Sequence, residues 1–164
     1  YCPPARYDAP TRDVLYRNDG DGTFTDVSEE SGITAAVGTG LGVVAVDFDG
    51  DGRRDIFVAN DGMPDHLWIN QGDLRFKEEA MQRGCDRDLS GVAKAGMGVS
   101  SEDVDDDGDP DLIVSLYADA GCIGTIRGRA SLGIEIPVIS TALCADQAVI
   151  DAIAVGVLRH CRSA

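Results

Sequence analysis

The chain has 164 residues, enough for one ordinary domain. Its 29 Asp and Glu outweigh 14 Lys and Arg to leave a formal charge of −15, without any basic cluster. That excludes a phosphate-gripping face for nucleic acid and docking on an anionic membrane. At 43% hydrophobic residues the chain is too apolar for a disordered segment, while 20 glycines and only 5% aromatics favour tight turns over long helices.

The charge is uneven. Residues 1–115 hold 25 acids and 10 bases, whereas residues 116–164 hold four of each. The chain opens on Tyr1-Cys2-Pro3-Pro4 with no basic-then-apolar leader, which reads as a processed chain or a piece of a longer one. A first block, 15–24, runs Leu-Tyr-Arg-Asn-Asp-Gly-Asp-Gly-Thr-Phe. Its Asn18-Asp19-Gly20 centre is tight-turn chemistry between two short strands. A brief helical turn is expected next, capped by Ser28 and ended by Gly32. The apolar run 43–48 is expected to be a strand buried on both sides. An acidic loop follows, then strands at 55–60, 67–70 and 74–77 separated by the turn residues 61–65 and 71–73. Residues 78–83 form a second helical turn up to Gly84, and 86–94 read as a surface loop.

Compared with itself, the chain repeats. Leu15 to Phe24 matches Leu67 to Phe76 at a shift of 52. Gly40-Leu41-Gly42-Val43 matches Gly96-Met97-Gly98-Val99, and the acidic loop beginning at Asp47 matches one beginning at Asp103, both at a shift of 56. Four short antiparallel strands per unit of about 50–60 residues is the arithmetic of a propeller blade. The expected fold is therefore all-β: about two four-stranded blades of an incomplete β-propeller over 1–115, and a divergent tail over 116–164. Within the tail, 145–160 reads as an apolar helix with Asp146 near its start and Arg159 and His160 at its end. It is either a docking helix or sequence out of frame with the repeat. A transmembrane reading of 137–158 is opposed by Asp146, Gln147 and Asp151 inside the span.

The pattern L-[YW]-x-N-x-G-x-x-x-F, followed by G-x-G-V and D-x-D-x-D-G-x-x-D-[IL], resembles the FG-GAP or VCBS-type repeat. It is similar to blades of the integrin α-subunit propeller, to acidic secreted proteins of the cartilage acidic protein type, and to bacterial relatives carrying an ASPIC and UnbV domain. The resemblance covers roughly residues 1–115. The Phe-Gly dipeptide and the Gly-Ala-Pro tripeptide are not present as such, and the Leu-Tyr-x-Asn-x-Gly block does not recur after Ser115. Adhesion or ligand recognition is what the resemblance implies.

Each acidic loop places carboxylates at positions 1, 3, 5 and 9. Ca²⁺ is a hard cation that takes six to eight oxygens, and a tight loop aims alternate side chains inward. The first site is expected to use Asp47, Asp49, Asp51 and Asp55 with the Arg53 carbonyl, the second Asp103, Asp105, Asp107 and Asp111 with the Asp109 carbonyl. Gly52 and Gly108 supply the sharp turn. An EF-hand would require Glu at position 12, occupied here by Val58 and Val114, and flanking helices instead of strands. The bland alternative is a metal-free acidic turn held by Asx hydrogen bonds; four clustered carboxylates without a cation would repel one another, and the loop occurs twice.

Five cysteines (Cys2, Cys85, Cys122, Cys144, Cys161) lack zinc spacing and leave one unpaired if the others are oxidised. His66 and His160 have no catalytic company, and His66 is expected at the surface. No G-x-S-x-G, P-loop or H-E-x-x-H occurs. The functional expectation is a non-enzymatic segment of a secreted, periplasmic or cell-surface protein, with two structural Ca²⁺ ions and an extracellular protein or glycan ligand. The alternative is the non-catalytic scaffold of a larger extracellular enzyme.

Overall fold

Described residues of the computed structural model are 10–88, 90–103, 106–118 and 122–129. In chain order the elements are β1 (Thr11–Arg12), β2 (Tyr16–Asn18), β3 (Phe24–Asp26), α1 (Ser28–Ser31), a 3₁₀ turn (Ile33–Ala35), β4 (Val37–Gly38) and β5 (Gly40–Val46). They continue with β6 (Asp55–Asn60), β7 (His66–Asn70), β8 (Phe76–Glu78), β9 (Ala95–Glu102), β10 (Asp111–Ala118) and β11 (Cys122–Arg129). One sheet is a complete antiparallel meander, β5-β6-β7-β8, and a second runs β9-β10-β11. Two smaller sheets pair β2 with β3 and β1 with β4. The fold is all-β, an incomplete set of propeller-type blades that form no closed ring among the described residues.

The repeat is reproduced in the strand pairing. Tyr16 pairs with Asp26 and Asn18 with Phe24, as Trp68 pairs with Glu78 and Asn70 with Phe76, every position shifted by 52. The Val27 amide donates to the Leu15 carbonyl at 2.9 Å, and the Glu79 amide to the Leu67 carbonyl at 2.8 Å. Asp26 accepts the Ser28 amide at 2.9 Å, as Glu78 accepts the Ala80 amide at 2.7 Å. One substitution inside this scheme is compensated. The longer Glu78 reaches the Leu67 amide itself, whereas the shorter Asp26 holds the Ser28 hydroxyl, which accepts the Leu15 amide at 2.8 Å.

Three local expectations are corrected. Ser28 is the first residue of α1 and not its cap, because its hydroxyl is engaged by Asp26 and Leu15; Gly32 ends the helix in the left-handed conformation, φ +83°. The strand expected over 43–48 runs Gly40–Val46 as a sheet edge, with Leu41 and Val43 exposed; the strand buried on both faces is its neighbour β6. The strand expected at 74–77 begins two residues later, since Asp73 and Leu74 adopt φ of 50° and 55°, which a strand does not accommodate.

Phe57, Ala59, Leu67 and Ile69 of the complete sheet pack with Leu112, Val114 and Leu116 of β10 in one core. Trp68 and Val58 face the opposite way and pack on Ile33 and Leu15. The position 115/116 therefore lies inside β10, whose Leu116 is buried and whose pairing with β11 continues to Ala118. The expected helix at 145–160 lies outside the described residues. Neighbouring units meet closely where side chains are absent: a Cβ on Gly96 would stand 3.1 Å from the Ala59 Cβ and the Asn60 carbonyl oxygen.

His66 is buried, contrary to its expected surface position. Its Nδ1 lies 3.2 Å from Asp13 Oδ2, which also accepts the Trp68 indole N–H at 3.2 Å. Asp13 precedes β2, so this one carboxylate ties the first hairpin to the complete sheet.

Candidate metal centre

The β5–β6 turn is folded by its own carboxylates. Asp47 Oδ1 accepts the amides of Gly50 at 2.8 Å and Asp51 at 3.2 Å, and its Oδ2 accepts that of Gly52 at 2.8 Å. Gly52 stands at φ +85°, a conformation that a Cβ would strain. Asp55 opens β6 and is fully buried; its Oδ2 accepts the Phe48 amide at 2.9 Å and its Oδ1 the Asn70 amide at 2.8 Å. Burial pushes the Asp55 carboxyl up; the amides of Asn70 and Phe48 oppose that, and the charges of Asp49 and Asp51 add to it.

Asp47, Asp49 and Asp55 each place one carboxylate oxygen within 4.8 Å of the others. Asp49 Oδ1 is buried and has no hydrogen-bond partner, while its Oδ2 meets Arg83 Nη2 at 3.4 Å. Three converging carboxylate oxygens, on residues that include one with an orphaned buried oxygen, fit a hard divalent cation. Asp51 is turned elsewhere: it accepts the Arg53 amide at 2.8 Å and pairs with the Arg53 guanidinium, whose Nε in turn donates to the Asn70 carbonyl at 2.9 Å. Of the first loop's residues, the structure thus gathers Asp47, Asp49 and Asp55 and sets Asp51 with Arg53.

The β9–β10 turn repeats the scaffold. Asp103 Oδ1 accepts the Asp107 amide at 3.1 Å and Oδ2 the Gly108 amide at 2.8 Å; Asp107 accepts the Asp109 amide at 3.0 Å. Asp111 opens β10 and is buried, as Asp55 is. Asp105 lies outside the described residues. At the position of Gly50, φ +76°, this loop carries Asp106 at φ +57°. The Asn18–Gly22 hairpin differs: Asp19 and Asp21 are taken up by Arg17, Thr25 and Thr23, as a plain turn requires.

Arg83 was not singled out by sequence. It links Asp49 to Glu79, at 3.4 and 3.1 Å, and the Lys77 and Arg83 hydrogen bonds hold the Glu79 carboxyl below its ordinary value. The Glu79/Arg83 spacing of four in a helical turn was the available signal. The role of Asn70 was hidden in plain view within the repeated Leu-x-x-Asn.

The model of the FG-GAP-like repeat matches residues 5–58 and 47–114. Cartilage acidic protein 1 of Xenopus tropicalis is 36% identical over 72 residues, 42% of this chain and 11% of that protein. The human protein of the same name is 36% identical over 69 residues, 40% of this chain and 10% of its own length. The matched region is thus about a tenth of the curated relatives. The chain belongs to the FG-GAP-like repeat family.

Proposed function

We propose that this FG-GAP-like segment is a non-enzymatic, calcium-binding part of a β-propeller, with Ca²⁺ structural at both acidic loops. The observations that carry the reading are the convergence of one carboxylate oxygen each from Asp47, Asp49 and Asp55, within 4.8 Å of one another, and a buried Asp49 Oδ1 without a hydrogen-bond partner. Bound Ca²⁺ would supply positive charge that offsets carboxylate repulsion at the strand turn. Asp47, Asp49 and Asp55 would hold it in the first loop, and Asp103 and Asp111, with Asp105 and Asp107, in the second. The loop amides already gathered by Asp47 and Asp103 keep those carboxylates in place.

A secreted, periplasmic or cell-surface location accompanies this reading, with sites of roughly 10⁻⁴–10⁻³ M expected, as in other extracellular calcium modules. Among the described residues no helix is long and apolar enough to cross a membrane. An adhesion or ligand-binding role, toward an extracellular protein or glycan, accompanies this reading. Calorimetry and equilibrium dialysis test it: two ions per chain are expected, with a raised melting temperature and no new apolar surface. Absence of binding at millimolar Ca²⁺ refutes it.

A further inference from the structure

The two acidic loops share a backbone frame and differ in charge. Asp47 Oδ2 accepts the Gly52 amide and Asp103 Oδ2 the Gly108 amide, both at 2.8 Å. Residues 47–55 hold four Asp and two Arg, a formal −2, whereas residues 103–111 hold six Asp and no base, a formal −6. The added acids are Asp106, where the first loop has Gly50, and Asp109, where it has Arg53; Pro110 replaces Arg54. The acids of the first loop already hold cations. Asp51 accepts the Arg53 amide at 2.8 Å and pairs with the Arg53 guanidinium, which is pinned in turn by the Nε bond to the Asn70 carbonyl at 2.9 Å. A second cation reaches in from outside the loop: Arg83 Nη2 lies 3.4 Å from Asp49 Oδ2, and the two side chains are each 22% exposed. Arg83 also meets Glu79 at 3.1 Å, so it keeps a carboxylate partner when Asp49 is engaged elsewhere.

We infer, resting on the calcium reading of both loops, that the two sites are unequal and fill in order. The second loop is the tighter site, and the first is held weaker by its resident arginines, Arg53 and Arg83. Calcium affinity is tuned by the number of ligand charges and by the rigidity of the site. A guanidinium fixed beside a carboxylate already supplies the positive charge that the ion would bring, so less is gained when the ion arrives. Pairing with Arg53 also draws Asp51 aside. Three carboxylates then converge in the first loop, Asp47, Asp49 and Asp55, against four Asp at the matching positions of the second. Six acids in a nine-residue turn repel one another before an ion binds, and relief of that repulsion adds to the affinity of the second loop. The first loop thus responds to changes in calcium over a range in which the second stays filled.

Calorimetric titration of the full, metal-stripped chain with Ca²⁺ is expected to show two steps whose Kd values differ about tenfold or more. Asp105→Asn should remove the tighter step and Asp49→Asn the weaker one. Arg53→Gln frees Asp51 and should tighten the weaker step about fivefold, leaving the other unchanged. Asp109→Arg gives the second loop the first loop's residue at that position and should weaken the tighter step by a similar factor. Raising salt from about 0.05 M to about 0.5 M should narrow the gap, because screening acts on charge, whereas a gap set by loop rigidity would persist. In EDTA, the effects of Arg83→Gln and Asp49→Asn on the unfolding equilibrium should be non-additive, as for two groups in contact. Equal affinities, the reverse order, a salt-independent gap or an untightened Arg53→Gln site each overturn the proposal, and additive effects in EDTA remove Arg83 from it. Two equal sites would leave the calcium reading standing, whereas no binding at millimolar Ca²⁺ would end both, so the two failures are told apart.

Discussion

Asp55→Asn separates the structural work of a carboxylate from its proposed work as a ligand. In the native chain both oxygens are used, by the Phe48 amide at 2.9 Å and the Asn70 amide at 2.8 Å, in a fully buried setting. Asparagine keeps the shape but presents one oxygen and one NH₂, so one of the two amides faces a donor. A hydrogen bond to a charged acceptor contributes about 1.5–3 kcal/mol, and a buried unsatisfied donor costs about 1–3 kcal/mol. Removing a buried charge, whose desolvation raises the Asp55 pKa, returns part of that. The net loss in EDTA should be about 2 kcal/mol. In saturating Ca²⁺ the gap should widen, because native protein gains binding energy that the variant cannot. Urea unfolding followed by the fluorescence of buried Trp68, the sole tryptophan, reads both quantities. Equal stabilities in EDTA would refute the acceptor role; equal gaps with and without calcium would refute the ligand role.

Asp49→Ala should weaken calcium at the first loop by about tenfold or more, while Asp21→Ala, in the plain hairpin, leaves titration calorimetry unchanged. Arg83→Ala removes the cation 3.4 Å from Asp49 and should tighten calcium binding severalfold, with the opposite change refuting its place as resident counter-charge. Asp106→Gly relieves a left-handed aspartate at φ +57° and should raise stability by about 0.5–1 kcal/mol in a thermal melt. Asp65, buried and accepting the Asn60 amide at 2.7 Å, has its pKa raised by burial to about 7. A folded pKa above the unfolded value means that the native state holds the extra proton, so this group's contribution falls as pH rises from about 4 to about 7. Asp65→Asn should flatten that part of the pH–stability curve in EDTA; an unaltered slope would assign it to other groups.

Most of the fold was legible because it is written twice. The shifts of 52 and 56 carry strand order and the acidic turns, since each unit must satisfy the same backbone donors. What escaped the sequence depends on neighbours. Residues 43–48 read as doubly buried because apolar content does not say which strand is an edge; the close approach of Gly96 to Ala59 shows how neighbouring units pack. His66 read as a surface residue because its burial depends on Asp13, 53 positions away. The first acidic loop was visible in full, yet the turn of Asp51 toward Arg53 depends on the Asn70 carbonyl, a contact across two strands. Residues 116–118 and 122–129 gave no repeat signal, and still form sheet, because β-pairing to β10 is made by the backbone.

The Asp13 carboxylate, held between His66 and Trp68, bears on how the molecule comes apart as well as on how firmly it is held together. In stacked repeats, stability divides into what each unit supplies and what each junction supplies, and the junction determines whether units melt as one. Beside the apolar contacts of Leu15 and Ile33 with Trp68, the Asp13 carboxylate is the polar link between hairpin and sheet, so part of that coupling passes through one side chain. Asp13→Ala should therefore split the transition, with the hairpin melting ahead of Trp68, whereas a weakened core would shift a single transition intact. Coincidence of hairpin and tryptophan probes in native protein, and its loss in the variant, would identify Asp13 as a determinant of cooperativity.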